Sequence, residues 1–205
     1  MRIDLAELGA PEHTAIVTQE CQGAVVGPNA GLAVLAEEAR REALPNIERL
    51  LPAARDAGVK VVHCLVQRRP DGLGGNHNAK IFAIGGGVAI TPGTPGAELL
   101  PELGPAPTDL VLRRWHGIGP MGGTDLDAVL RNLGVSTIVA VGVSVNLAIT
   151  NLCMDAVNKG YRVVVPRDAV AGIPTDYANT IIDNMLSLLA AITTTDDLLE
   201  VWKQT

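Results

Sequence analysis

Aromatic residues are almost missing from this 205-residue chain: two Trp, two Tyr and one Phe make up 2% of it. With 47% of its residues hydrophobic, the core must be packed from Ala, Val, Leu and Ile. Three cysteines, Cys21, Cys64 and Cys153, are an odd number and make no disulfide framework. No apolar run reaches the ~18 residues of a membrane span, and no signal peptide opens the chain. Positive charge is not in excess: the formal net charge is −6, with acids and bases interspersed, which argues against nucleic acid and anionic membrane as partners. A metal motif is absent as well, since His63, His77 and His116 stand without His-x-His or Asp-x-His spacing. Gly85-Gly86-Gly87 lacks the Lys-Ser/Thr ending of a phosphate loop, and no Gly-x-Gly-x-x-Gly follows the first strand. These absences leave a cytoplasmic protein, one domain over 1–205, with a small-molecule substrate, no cofactor and no metal.

What is present is an alternation of apolar runs and helical spacing. Strands are predicted at 14–18, 59–66, 109–112, 136–141 and 161–165, with a weak sixth at 190–192. Helices are predicted over 30–57, interrupted at Pro45 and closed by Gly58, and near 124–133, 144–159, 175–189 and 195–203. This alternation predicts an α/β fold: a three-layer α/β/α sandwich on a mostly parallel, Rossmann-like sheet, ordered 3-2-1-4-5-6 or with the third strand inserted. The Gly- and Pro-rich stretch 67–108 is too long to be filler and reads as a lid or binding surface. His63, in mid-strand, reads as a hydrogen-bonded core residue.

Ligands of such sheets gather at the carboxyl ends of the strands, and Glu20, Arg114 and Ala148 each follow such an end. A carboxylate and a guanidinium converging there can position a substrate, handle a proton, or form a structural ion pair. Residues 137–148 read as a buried strand, a glycine turn and the first turn of a helix, an arrangement that aims backbone N–H groups at one spot. A thiol or hydroxyl at position 148 would complete an acyl-transfer site, but the residue is alanine. Cys153 lies about 140° further round the helix and cannot substitute for it.

The chain resembles the isochorismatase-like (cysteine hydrolase) superfamily from about Thr14 to Trp202. The resemblance rests on Ala15-Ile16-Val17-Thr18-Gln19-Glu20-Cys21-Gln22, Val111-Leu112-Arg113-Arg114-Trp115, Gly123-Thr124-Asp125-Leu126, Val141-Gly142-Val143-Ser144, Cys153-Met154-Asp155-Ala156 and Val164-Val165-Pro166-Arg167-Asp168-Ala169, in that order. It implies a catalytic aspartate at Glu20, a lysine at Arg114 or its neighbour Arg113, and a cysteine at Ala148. All three positions differ. The branch that cleaves vinyl ethers uses the acid and the lysine with a small residue in place of cysteine, so Ala148 is compatible with it. The resemblance therefore implies a hydrolase of a small organic substrate with no cysteine nucleophile, Glu20 as general acid and Arg114 orienting the substrate. Trp115, Gln67, Val143, Ser144 and Leu147 are the expected substrate contacts. The alternative is a degenerate member that binds a small carboxylate or amide without turnover. Residues 177–191, with Ile181-Ile182, Met185-Leu186 and Leu188-Leu189, read as a helix apolar on more than one stripe, which predicts a homodimer or higher homo-oligomer.

Overall fold

The period of two in the apolar strands decides the layering of this chain. In the computed structural model, which describes residues 4–83 and 90–203, seven strands pair in parallel among the described residues. They are β1 (Thr14–Gln19), β2 (Lys60–Val66), β3 (Leu110–Arg114), β4 (Thr137–Val143), β5 (Arg162–Pro166), β6 (Val170–Ala171) and β7 (Ala191–Thr193). Their order is β3-β2-β1-β4-β5-β7, with the two-residue β6 on β4 off the main path. The helices are α1 (Leu5–Leu8), α2 (Gly23–Val26), α3 (Ala33–Glu38), α4 (Leu44–Ala57), α5 (Leu126–Asn132), α6 (Thr150–Asn158), α7 (Thr175–Asn184) and α8 (Thr195–Lys203). Successive strand residues point to opposite faces. Ile16, Val139 and Val141 pack with Ile47, Leu50 and Leu51 of α4 and Leu198 of α8. Ala15, Val17, Ile138 and Ala140 pack on the other face with Leu126, Leu130, Leu152 and Ile182. Helices on both faces of a parallel sheet make the three-layer sandwich.

Several local expectations are corrected. Pro45 does not interrupt the long helix, because a π turn over Ala39–Ala43 joins α3 to α4 directly ahead of it. There the Leu44 N–H donates to the Ala39 carbonyl, which shifts the hydrogen-bond register next to the missing proline N–H. The third strand runs on to Arg114, and β2 lies between β1 and β3, so the strands carrying Glu20 and Arg114 are not neighbours. The helix expected over 175–189 ends at Asn184 and a 3₁₀ turn follows at Leu186–Leu188. Ile181, Ile182 and Leu186 are all buried in one core, while Tyr177 and Leu188 are 57% and 82% exposed. The broad apolar face read there is thus mostly core. Among the described residues no helix is long and apolar enough to cross a membrane. The Gly85-Gly86-Gly87 run lies outside the described residues.

A buried polar chain ties the first three strands to α4. Thr18 and His63 are register partners on β1 and β2, and the Thr18 hydroxyl lies 2.8 Å from His63 Nδ1. His63 Nε2 is 3.1 Å from Asp109 Oδ2, just ahead of β3. Asp109 also accepts from Arg55 Nε and Nη2 at 3.1 and 2.7 Å and from the Ala106 N–H at 2.8 Å. Burial alone would raise the Asp109 carboxyl, but the hydrogen bonds from Arg55, Ala106 and His63 outweigh it and hold it low. An ionised Asp109 only accepts, so His63 Nε2 carries the proton and the Thr18 hydroxyl donates to Nδ1. Burial lowers His63, and with the Arg55 charge acting the same way it outweighs the raising effect of Asp109.

Below the usual histidine value of 6.5 the unfolded chain takes up a proton that folded His63 refuses, so stability falls as pH drops through that region. Asp109 adds a second loss in stronger acid, when its depressed carboxyl is protonated. Urea titrations at pH 7.5 and 5.5 are expected to show a smaller loss for His63→Gln than for the wild type. At pH 7.5 the same variant is expected to be about 2 kcal/mol less stable. An identical pH dependence in the two proteins would contradict this reading.

Candidate active site

Four adjacent strands bring their carboxyl ends to one cavity of about 600 Å³. Glu20 follows β1, Arg68 follows β2, Arg114 ends β3, and Ser144, Leu147 and Ala148 follow β4; all six line the cavity. Across the width of β2, Arg114 Nη2 donates to Glu20 Oε1. The same nitrogen donates to the Ile118 carbonyl at 2.9 Å, in the 117–121 stretch that carries Gly117 and Ile118 into the cavity wall. The Arg114 side chain is 4% exposed, and its Nε and Nη1 have no hydrogen-bond partner among the described residues. Buried donors without a partner are the exception in folded proteins, which marks this guanidinium as a candidate for a polar ligand. Arg113 turns instead to Glu98 at 2.6 Å.

Glu20 occupies an unusual backbone position. Among the described residues it is the one non-glycine residue with positive φ, +53°. That left-handed conformation costs an ordinary residue on the order of 1–3 kcal/mol and persists only where its surroundings enforce it. Here the Glu20 N–H donates to the Cys64 carbonyl at 2.9 Å, and Gln19 Nε2 and Arg114 Nη2 both donate to Oε1. Gly142, with φ +109°, stands beside Gln19 across the sheet. A Cβ there would lie 2.3 Å from the Gln19 carbonyl oxygen, so only glycine lets β4 pass this close to β1.

Beyond β4 the peptide between Val143 and Ser144 is cis, and the chain enters a π turn over Val145–Ile149 before α6. The Leu147 and Ile149 N–H groups donate to the Ser144 carbonyl at 3.2 and 3.0 Å. The Leu147 N–H is therefore engaged, by a tight i→i−3 bond at the start of the turn, rather than aimed at a ligand. Ala148 presents a methyl group to the cavity.

Three expected contacts lie elsewhere. Val143 is fully buried in the core, and Gln67 is buried with its N–H on the Arg114 carbonyl at 2.8 Å. Trp115, 44% exposed, lines a separate recess of about 280 Å³ that also includes Arg113 and His116 and shares only Arg114 with the larger cavity. In their place the cavity has Arg68, Phe82 and Asn146. Asn146 is clasped to Ile173, donating to its carbonyl at 2.8 Å and accepting from its N–H at 3.0 Å. The arginine pair directly after a buried strand was the available signal for Arg68. Nothing local marks Phe82, which reaches the wall through the long 67–108 connection.

The three thiols stay out of this chemistry. Burial pushes Cys21, Cys64 and Cys153 each up to about 12, with the Glu20 charge adding to the shift at Cys21. None of them lines the larger cavity.

The description Isochorismatase domain matches residues 14–197. Ureidoacrylate amidohydrolase RutB of Rhizobium rhizogenes is 26% identical over 182 residues, covering 82% of this chain and 74% of that protein. Streptothricin hydrolase of Streptomyces noursei is 30% identical over 137 residues, 63% of this chain and 48% of that one. The uncharacterized isochorismatase family protein YecD of Escherichia coli O157:H7 is 28% identical over 113 residues, 50% of this chain and 58% of that one. The matches thus span only about half the length of the last two relatives. Among solved structures, an isochorismatase family protein from Desulfovibrio vulgaris superposes with TM-score 0.81 at 28% identity, covering 94% of this chain and 99% of that one. A cysteine hydrolase from Pseudomonas syringae shares the fold at TM-score 0.84 and 24% identity, with 95% and 94% covered.

Because thiolates are the reactive species, the folded protein is expected to resist iodoacetamide at pH 8. Intact-mass spectrometry should find no carbamidomethyl adduct until denaturant is added. Alkylation of any cysteine in the folded protein at the rate of a free thiol would contradict the burial described.

Proposed function

This chain belongs to the isochorismatase family, and on that premise we propose that it hydrolyses a small organic substrate without a cysteine nucleophile. The observation that carries the proposal is the Glu20–Arg114 pair, with two guanidinium donors unmet, in the same cavity as the Ala148 methyl. A methyl cannot attack, so the nucleophile is water. Glu20 takes a proton from that water as its oxygen bonds to the electrophilic carbon. Glu20 then acts as general acid and passes the proton to the oxygen or nitrogen that departs, which restores the carboxylate. Arg114 cannot give up a proton. Its free N–H groups orient the substrate and meet the negative charge that develops as water adds. Esters and amides fit this sequence, and the name of one relative, ureidoacrylate amidohydrolase, is consistent with an amide-type substrate. A vinyl ether takes the steps in another order: protonated Glu20 gives its proton to the β-carbon, water adds to the oxocarbenium carbon and returns a proton to Glu20, and the hemiketal then releases the alcohol.

The second reading, a family member that binds without turnover, is favoured by one feature. Gln19 and Arg114 both donate to the same Glu20 oxygen, which suits a carboxylate held still as much as one that shuttles protons.

A hydrolysis screen over esters, amides and vinyl ethers separates the two. The enzyme reading expects turnover of at least one class. Glu20→Gln and Arg114→Gln should each then lower kcat/KM by about 100-fold or more. Turnover of none, with ligands still bound, would establish the second reading. Ala148→Cys is expected to gain no efficient amidase activity, because the new thiol would face a carboxylate already bound to a fixed cation. Strong amidase activity from that single change would mean that only the nucleophile had been lost.

A further inference from the structure

Arg68 carries a charge in the cavity wall that no carboxylate offsets. Glu20 balances Arg114, and Asp71 balances Arg69 at 2.6 Å. Among the described residues every arginine except Arg40 and Arg68 lies in an ion pair. The residues outside the described set include no Asp or Glu that could reach Arg68 instead. Arg40 donates to the Val26 and Gly27 carbonyls and does not line the cavity. Arg68 donates Nη1 to the Phe82 carbonyl at 3.2 Å, which leaves Nε and Nη2 without a protein partner among the described residues. Its backbone is held on both sides, by its own N–H on the Ile90 carbonyl at 3.0 Å and by the Gln67 N–H on the Arg114 carbonyl at 2.8 Å.

The wall opposite in character is apolar. Leu35, Phe82, Ile90, Leu147 and Ile173 line the same space, and about 600 Å³ suits a drug-sized ligand rather than a urea-sized one. Resting on the hydrolase reading above, we propose that the substrate is an amphipathic carboxylic acid. Its carboxylate pairs with Arg68, its apolar body lies on this wall, and its scissile bond reaches Glu20 and Arg114. A guanidinium meets a planar carboxylate through parallel N–H···O bonds. One uncompensated cation matches a monoanion, whereas a phosphate ester would bring up to two negative charges.

Isothermal titration with 4-phenylbutanoate and the isosteric 4-phenylbutanamide tests the subsite by charge alone. The wild type is expected to bind the acid about tenfold more tightly. Arg68→Gln should bind both alike, and Arg68→Lys should recover part of the preference. Arg162→Gln, which removes a cation paired with Glu7 outside the cavity, should keep the full preference. Equal binding of acid and amide by the wild type would overturn the proposal, as would a tenfold preference surviving in Arg68→Gln. Tighter binding of 4-phenylbutyl phosphate than of the acid would overturn it too. The readout is binding, so the two readings fail separately. An acid preference that vanishes with Arg68, in a protein that hydrolyses nothing, supports the subsite and overturns only the hydrolase reading. Hydrolysis with no acid preference does the reverse.

Discussion

Arg114 places a guanidinium where water scarcely reaches, its side chain 4% exposed, and a charge so placed is costly unless a counter-charge and acceptors meet it. Glu20 and the Ile118 carbonyl meet one of its nitrogens. Much of the sheet's carboxyl edge follows from that requirement. Glu20 must come within reach of a residue two strands away, and it does so in a left-handed conformation just past β1. The close approach of β4 at Gly142 and the hydrogen bond from Gln19 hold that conformation in place. The 117–118 segment must turn back under Arg114, which is why it forms cavity wall. Two donors of the guanidinium remain unmet among the described residues, and that residual demand is what supports reading the pair as a candidate site as well as a structural link.

Apart from the Glu20–Arg114 pair, the molecule contains a buried arrangement of hydroxyl, imidazole and carboxylate. Thr18, His63 and Asp109 form a connected chain that resembles a nucleophile, base and orienting acid. None of the three lines either cavity, and Thr18 and His63 are fully buried. With Arg55 bound to Asp109 as well, the chain's hydrogen bonds are met from within, so it ties β1, β2, the start of β3 and α4 together. Unmet donors on a residue that lines a cavity, rather than residue types in a row, distinguish the candidate site from this link.

The parallel sheet was legible because most of its strands are near-continuous apolar runs and the helices between them show a clear period, while two strand orders stayed open. Glu20, Arg114, Ser144, Leu147 and Ala148 could be placed at one edge because each follows or ends a strand, and strand ends are where sequence position and spatial position coincide. Gln67, Val143 and Trp115 satisfied the same rule but are not in the cavity wall, since a one-residue step in extended chain reverses the face. Arg68 next to Gln67, and Ser144 next to Val143, occupy the cavity-facing positions. Phe82 and Asn146 were unreadable for different reasons. Phe82 arrives through a connection without periodicity, and Asn146 takes its place through its clasp on Ile173, a contact across 27 residues of chain. Pro45 misled because a π turn, which has no strong sequence signature, absorbed the break that proline ordinarily makes.

On the proposed hydrolysis, Glu20 and Arg114 act as one unit rather than as two separate contacts. A double-mutant cycle on hydrolysis, with Glu20→Gln, Arg114→Gln and the combined variant, measures this directly. The combined variant is expected to lose no more kcat/KM than the worse single variant, because removing either member already disables the pair. Losses that multiply in the combined variant would contradict it and assign the two residues independent roles.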